Sequence, residues 1–436
     1  MNYTTIVGLV MLAVIIVALT TKKLSFPIAT SVIPILIAWL ALGFSIHAMD
    51  KFLQPAISSM FIKTAFMLMF AMLYFNMASE SGMFDTIIEK VLQVSKDKMN
   101  IYVAMVLTII ISSVAMLSAN VATTYMIAFP TLVPLYKKLN LDRRYLLILT
   151  TSSIAMMGFL PWGIALATMS AFSGVSPDLL AAHCWKAALL FIPIFPFMIM
   201  YFGKLHKKNV STIGIVETIS EEEAAIEEES SNRRPKLFLV NLFILILAIV
   251  ALVAFRYPAY IVFMFAYGVT AVINYPKISD QNKINGKVAR SYFNLLFMLM
   301  AIAVFTGVFN STGMTKGFVK LIMWIFPHSL VRYAHLILLA CAVIVLRYLP
   351  YQIYLSLLPI LIGVGHGFGL TPVQVVTPYV SNIGLGTGSS PMTGGTYVGV
   401  SMAEIDMDEY VSLAVRVQSV CNVVIIVLGL ITGIYV

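Results

Sequence analysis

Charged side chains are scarce. Lys, Arg, Asp and Glu make up 11% of the 436 residues, against about a quarter in soluble proteins. Acids are scarcer than bases, 19 against 28, for a formal net charge of +9. With 60% apolar residues and a mean hydropathy of +0.94, this excludes a soluble domain and defines a polytopic membrane protein. The basic surplus then reads as cytoplasmic loops, not as a nucleic-acid surface. Cysteine is nearly missing: Cys184, Cys341 and Cys421 lie in separate apolar segments without metal-ligand spacing, as buried free thiols do. No nucleophile–base pair and no ligand cluster stands at membrane depth. An enzyme is therefore not expected, nor a resident metal or organic cofactor. No basic residue precedes the first apolar run and no small-residue cleavage pattern follows it, so that run reads as a retained helix.

Apolar runs able to span lie near 5–20, 27–45, 60–78, 145–177, 186–203, 237–255, 258–274, 293–310, 373–402 and 411–435. Two others, 101–136 and 333–371, do not fit single spans. Run 101–136 has no charge and as one helix would measure roughly 54 Å at about 1.5 Å per residue, far beyond a core of about 30 Å. Lys96 and Lys98 precede it; Lys137, Lys138, Arg143 and Arg144 follow it. Both ends are basic, hence both cytoplasmic. The run must enter and return as a re-entrant hairpin, with its tip at the polar patch Ser118-Ala-Asn-Val-Ala-Thr-Thr124.

Ten spans and two hairpins place most Lys and Arg on one side. The other receives Lys51, Lys63, Lys186, Arg256, Lys316, Lys320 and Arg332. That asymmetry puts both termini outside a cell membrane, read as a bacterial cytoplasmic membrane. Residues 204–236 read as a charged cytoplasmic linker.

The two halves resemble each other at an offset of about 230 residues. Phe66-Met-Leu-Met69 recurs as Phe297-Met-Leu-Met300, and Gly82-Met83 as Gly313-Met314. Tyr125, Pro130, Leu132 and Leu141 align with Tyr354, Pro359, Leu361 and Leu370. Gly158-x-x-Pro161 aligns with Gly388-x-x-Pro391, and Asp178 with Asp408. The expected fold is an all-α polytopic membrane protein of two inverted repeats, each of five transmembrane helices with a re-entrant hairpin and a discontinuous helix. The N-terminal repeat covers 1–203 (hairpin 101–136, broken helix 145–177). The C-terminal repeat covers 237–436 (hairpin 333–371, broken helix 373–402). An odd number of spans per half inverts the second half. The second tip then falls near Arg347-Tyr-Leu-Pro-Tyr-Gln352. The glycines of Gly384-Leu-Gly-Thr-Gly-Ser-Ser-Pro-Met-Thr-Gly-Gly-Thr-Tyr397 read as the helix break, and Gly158-Phe-Leu-Pro-Trp-Gly163 as its partner. Repeats with broken helices mark secondary transporters, which bind cargo near the midplane at the breaks. A nucleotide-binding glycine loop would need a strand before it and a helix after it, which the flanks do not offer.

With these residues in view, the chain resembles the citrate–metal:proton symporters of the ion transporter superfamily, and more distantly the sodium–dicarboxylate carriers. The likeness is best in Ala122-Thr-Thr-Tyr-Met-Ile-Ala-Phe-Pro-Thr-Leu-Val-Pro-Leu-Tyr-Lys-Lys-Leu139, Leu160-Pro-Trp-Gly163, Leu357-Leu-Pro-Ile-Leu361 and Ser389-Ser-Pro-Met-Thr-Gly-Gly-Thr-Tyr-Val398. It implies uptake of a citrate-like di- or tricarboxylate coupled to protons. The family pattern has acidic residues at the hairpin tips; Ser118, Ala119, Asn120 and Tyr351 stand there instead. This removes hard oxygen ligands for a divalent ion and leaves open whether the carboxylate travels with a metal. The Ser-x-Asn tip is similar to the dicarboxylate carriers and keeps sodium as the alternative coupling ion.

Arg347 is the one charge midway through an apolar hairpin, where a charge costs a few kcal/mol and guanidinium pairs bidentately with carboxylate. It is expected to contact anionic cargo, with pairing inside the protein as the rival. Ser118, Asn120, Thr123 and Thr124 offer hydroxyl and amide groups, or simply hold the turn. Tyr351 and Gln352 face the same cavity from the other hairpin. Pro161 and Gly163, with Pro391, Thr393, Gly394, Gly395 and Thr396, mark the breaks and offer backbone contacts, or serve only as kinks. His366 reads as a loop residue at the outer face, and Asp406, Asp408 and Glu409 as a cap on the last helix. Gly82–Leu92 reads as an amphipathic surface helix, with a counterpart after Gly313. The partners expected are the carboxylate, the bilayer and a second copy through the scaffold. A passive anion channel is the rival from another class.

Overall fold

The structure is a computed structural model and describes residues 2–95, 99–212, 233–255, 257–325 and 331–435. Most of the acidic linker (213–232), Lys96, Lys98 and Arg256 lie outside the described residues. The described residues are helical, with no strand among them. The first half runs α1 (Tyr3–Thr20), α2 (Phe26–Leu40), α3 (Ile46–Met60), α4 (Phe66–Glu80), α5 (Met83–Ser95), α6 (Ile101–Ala115), α7 (Val121–Lys138), α8 (Arg143–Met156), α9 (Ile164–Ser173), α10 (Pro177–Leu189) and α11 (Ile194–Thr212). The second half runs α12 (Phe238–Val253), α13 (Ala259–Asn274), α14 (Ile278–Ser311), α15 (Met314–Ile325), α16 (Ala334–Val345), α17 (Tyr351–Gly367), α18 (Pro372–Gly388), α19 (Gly394–Ala403) and α20 (Met407–Ile431).

Six of these helices are long and apolar enough to cross a membrane, or up to eight if each bent pair counts once. The runs at 27–45 and 258–274 form helices of only 15 and 16 residues. Conversely, the runs at 60–78 and 293–310 are the ends of much longer helices. Ile46–Glu80 is continuous through a π-helical turn, Phe61–Ala65, and Ile278–Ser311 has 34 residues. Hydropathy finds only their apolar ends because the leading turns carry His47, Asp50 and Lys51, or Asp280, Lys283 and Lys287.

The order of elements repeats. A long helix (α3–α4, then α14) ends in a left-handed glycine, Gly82 at φ 76° and Gly313 at φ 79°. A short amphipathic helix follows (α5, α15), then two antiparallel helices joined by a tight turn (α6–α7, α16–α17), then a broken helix (α8–α9, α18–α19). Only glycine takes that φ without cost, which explains why Gly82-Met83 and Gly313-Met314 match. α1–α4 pack with α12–α14 as one bundle. The hairpins pack with the broken helices, α10 and α20 as a second. α15 lies between them, against both α1 and α17.

The glycine-rich stretches need correction. α18 continues through Gly388, so the break covers only 389–393. Gly384, Gly386 and Gly388 lie in helix and serve close packing. A Cβ on Gly384 would lie 2.8 Å from the Cβ of Ala155, and one on Gly388 2.7 Å from the Cβ of Thr151. From the other side, a Cβ on Gly158 would fall 2.3 Å from the Val380 carbonyl oxygen. The two broken helices thus cross backbone to backbone. The glycines of Gly363-Val-Gly-His-Gly367 are likewise helical, and His366 sits exposed in the last turn of α17, not in a loop.

Ion pairs tie off one end of this crossing. Glu404 caps α19 in the left-handed region at φ 52° and bridges Lys137 (2.8 Å) and Arg143 (2.7 Å). The Lys137 ammonium, more than any other neighbour, holds the Glu404 carboxyl below its usual range. Asp406 caps α20 by accepting from the Asp408 and Glu409 amides, and Glu409 pairs with Arg144 at 3.0 Å.

Because the Gly158 contact is with backbone, it cannot relax by a rotamer change. Gly158→Ala should therefore cost about 1–3 kcal/mol, read as a lower thermal midpoint in detergent. An unchanged midpoint would mean the helices can slide apart freely.

Candidate functional site

The first hairpin turns over very few residues. α6 tightens into a 3₁₀ turn, Met116–Ser118, and Ala119 takes φ 57°. Asn120 then caps α7: its Oδ1 accepts from the Thr123 amide at 3.1 Å. An asparagine in this role satisfies an end amide that lipid could not. With Oδ1 engaged, the side-chain NH₂ of the half-buried Asn120 remains as a donor. The Thr124 hydroxyl bonds back to the Asn120 carbonyl at 2.9 Å, so it serves the turn. Ser118 differs: its Oγ is buried with no partner.

Each tip is fastened to a break by a hydrogen bond to a matching carbonyl. Trp162 Nε1 donates to the Leu117 carbonyl at 3.0 Å. Ser390 Oγ donates to the Leu346 carbonyl. The first tip also meets the second break, where a Cβ on Gly395 would lie 3.2 Å from Val121 Cγ1. Leu346 in turn lies against Gly386 on α18. These contacts gather Ser118, Asn120, Pro161, Gly163, Arg347, Pro391, Thr393, Gly394 and Gly395 about the crossing of the broken helices.

Four helices begin there: α7, α9, α17 and α19. Three of their caps, Gly163, Pro350 and Thr393, make no side-chain cap. Their first-turn amides therefore lack a side-chain acceptor, and each helix start carries partial positive charge. Thr393 could cap its helix yet its Oγ1 is buried without a partner. Thr396 is different, since its hydroxyl is within 3.2 Å of the Thr387 carbonyl and serves the break itself. Tyr410 donates to the Gly388 carbonyl at 2.7 Å. Tyr351, Gln352 and Arg347 are half-buried at the start of α17 and the turn before it. The Arg347 guanidinium lies 5.7 Å from the Tyr348 ring centre and pairs with no described carboxylate. The site is thus rich in donors. Among the described residues no group of three or more His, Cys, Asp and Glu is placed so that it could hold a metal ion.

Three contributors escape a reading of the sequence. Trp162 stacks on Phe75 (4.8 Å) and meets Phe263 edge-on (5.3 Å), which anchors the first break to the α1–α4 and α12–α14 bundle. Gln418 donates to Thr151 Oγ1 at 2.7 Å. Asn422 accepts from Asn382 at 2.8 Å, and Tyr435 closes that network at 2.6 Å. Gln418 and Asn422 are amides one turn apart in an apolar helix, and an intramembrane polar pair is the signal that could have found them.

A donor-lined crossing of two broken helices, carried on an all-helical, multi-span frame, defines the class: a membrane transporter built on discontinuous helices. The comparisons agree. Residues 9–384 match the CitMHS family, described as citrate transporter, and the chain belongs to that family. A citrate transporter of Bacillus subtilis (strain 168) is 27% identical, covering 98% of this chain and 99% of its own. The Mg(2+)/citrate complex secondary transporter of the same strain is 26% identical, covering 98% of each. The crystal structure of the Alcanivorax borkumensis YdaH transporter shares the fold, with a TM-score of 0.63 at 12% identity, over 89% of this chain and 90% of that one. The chain is a transporter, not an enzyme.

The two orphan hydroxyls separate a binding role from a folding role. Removing a buried hydroxyl that has no partner costs folding little. Ser118→Ala and Thr393→Val should leave the thermal midpoint at its wild-type value and lower uptake several-fold. A fall in stability with normal uptake would assign both hydroxyls to the turn.

Proposed function

We propose that the protein is a secondary active transporter of citrate or a closely related polycarboxylate, driven by the proton gradient. The observation that carries this reading is the gathering of uncapped helix starts, orphan hydroxyls and one unpaired arginine, without a carboxylate, at the crossing of two broken helices. Such a site favours an anion. Arg347 approaches a terminal carboxylate. The first-turn amides of α9, α17 and α19, with Ser118, the Asn120 amide, Thr123, Gln352 and Thr393, take the remaining oxygens. Backbone N–H from Gly394 and Gly395 is accessible because no side chain shields it.

The repeated element order supports inverted repeats over 1–203 and 237–436, joined by the linker 204–236, with both termini outside the cell membrane. The hairpins and broken helices then move as a unit against the α1–α4 and α12–α14 bundle, which also offers the surface for a second copy. A divalent ion, where one travels, does so as part of the cargo. The names of the relatives support citrate with magnesium. The acid-free tips support the free carboxylate.

The test is uptake of labelled citrate into proteoliposomes, with proton and sodium gradients imposed separately, with and without magnesium. Proton-driven citrate uptake is expected. Sodium-driven succinate uptake without citrate transport would instead give the dicarboxylate reading, and conductance that ignores both gradients would give a channel. In the same assay Arg347→Ala should lose at least tenfold in uptake while remaining folded, since a charged hydrogen bond to cargo is worth about 1.5–3 kcal/mol. Wild-type uptake in that variant would remove Arg347 from the site.

A further inference from the structure

Two cavities adjoin at the face where α9, α14 and α17 end. The first, of about 320 Å³, lies between the α3–α4 helix, the last turns of α14 and the end of α9, and is lined by Ser59, Lys63, Thr64, Ser173 and Asn310. The second, of about 640 Å³, lies between α14, α15 and α17, and is lined by Lys316, Lys320 and His366. Phe172 and Asn310 belong to both walls. Neither wall contains an acidic residue. Lys63 is the middle residue of the π-helical turn Phe61–Ala65, and no described carboxylate pairs with it, Lys316 or Lys320. Three lysines in acid-free walls are unusual in a chain this poor in charge. π-turns inside α-helices recur at functional sites. Here the π-turn interrupts the long helix beside the end of α9, where Thr64 and Ser170 hydroxyls meet at 3.3 Å. The first cavity therefore has one wall in the α1–α4 and α12–α14 bundle and the other in the unit that carries the site.

We propose that these adjoining cavities form a vestibular anion site, which holds a polycarboxylate on Lys63, Lys316 and Lys320 before it reaches the hairpin tips. The inference rests on the transport reading above for its choice of anion. The three lysines are exposed at the cavity walls, and walls of one charge sign concentrate the opposite charge and raise its rate of arrival. Ser59, Ser173 and Asn310 offer hydrogen bonds that fit carboxylate oxygens and that a purely repulsive basic patch would not need.

The test uses a cysteine placed in the cavity. Ser173→Cys is made in a Cys341→Ser background, since Cys184 and Cys421 are buried. The purified full chain in detergent is labelled with an anionic and a cationic methanethiosulfonate. Relative to a free thiol, the anionic reagent should gain about tenfold over the cationic one. The gain should shrink in Lys63→Gln and in Lys320→Gln, two variants that guard against one misfolding. It should shrink as ionic strength rises. Millimolar citrate should slow the anionic reagent, also when Arg347→Ala is added. A free-thiol ratio, or a ratio indifferent to both lysines, overturns the site. So does a lack of citrate protection, or protection that vanishes with Arg347. Ser173→Cys protein that labels as expected, while wild-type protein takes up no citrate, would fail the transport reading and leave the vestibule standing.

Discussion

A helix broken inside a bilayer must find partners for the backbone groups it frees, and most of this structure follows from that constraint. Each unpaired group would cost several kcal/mol in hydrocarbon. The second break answers it from the helices around it: Thr396 of α19 donates to the Thr387 carbonyl and Tyr410 of α20 to the Gly388 carbonyl. The first break sends Trp162 to the turn of a hairpin. The hairpins have the same problem at their tips and solve it with the same partners, so breaks and tips are each other's solvent. The carbonyl ends find hydroxyl and indole donors, while the starts of α9, α17 and α19 have no side-chain cap. The proposed anion site rests on those helix starts.

The crossing itself is permitted by small residues. Gly158, Gly384 and Gly388 bring α8 and α18 within backbone contact, and Ala155 and Thr151 are the largest groups tolerated between them. Around this centre Asn382 donates to Asn422 and Gln418 donates to Thr151, while Gln418 Oε1 is buried without a partner. They bind the hairpins and broken helices into one body. The contact between that body and the other bundle has a different character. It is aromatic at Trp162, Phe75 and Phe263, and hollow and hydroxyl-lined at Lys63 and Ser173. A seam with cavities along it can change shape at lower cost than a packed core.

Much of this was legible in the sequence because membrane constraints are severe. The charge-free run 101–136 folds as two helices about a turn at its polar patch, with Asn120 at the start of the second, and Ile101–Ser118 is itself long and apolar enough to cross a membrane. The segments matched at an offset of about 230 residues carry interruptions at 346–350, 160–163 and 389–393. The misses have physical causes. Glycine permits both a break and a close crossing, and nothing in Gly384-Leu-Gly-Thr-Gly388 distinguishes them, so helix was read as break. Hydropathy is blind to an amphipathic helix that continues an apolar one, which hid the first halves of Ile46–Glu80 and Ile278–Ser311. A π-turn leaves no mark in composition, so Lys63 read as a flanking charge. Thr124 and Thr396 looked like ligands because hydroxyls that hold a turn and hydroxyls that bind cargo are the same group until their acceptors are seen.

The basic residues beside the first hairpin, Lys137, Arg143 and Arg144, are the charges on which the orientation expected from the sequence rests. In the folded chain Lys137 and Arg143 meet Glu404, and Arg144 meets Glu409, where α19 gives way to α20. Glu404 occupies a left-handed position that glycine would fill without strain. A glycine there could not bridge Lys137 and Arg143, so the carboxylate is kept despite the strain. With Glu404 and Glu409 more than half exposed, these pairs add little to stability. What they add is register, since they pin the end of hairpin one to the end of the second broken helix. At the other face, Lys63, Lys316 and Lys320 pair with no carboxylate among the described residues. Basic side chains are thus neutralised at the junction of α19 and α20 and left unpaired where the vestibular site is proposed.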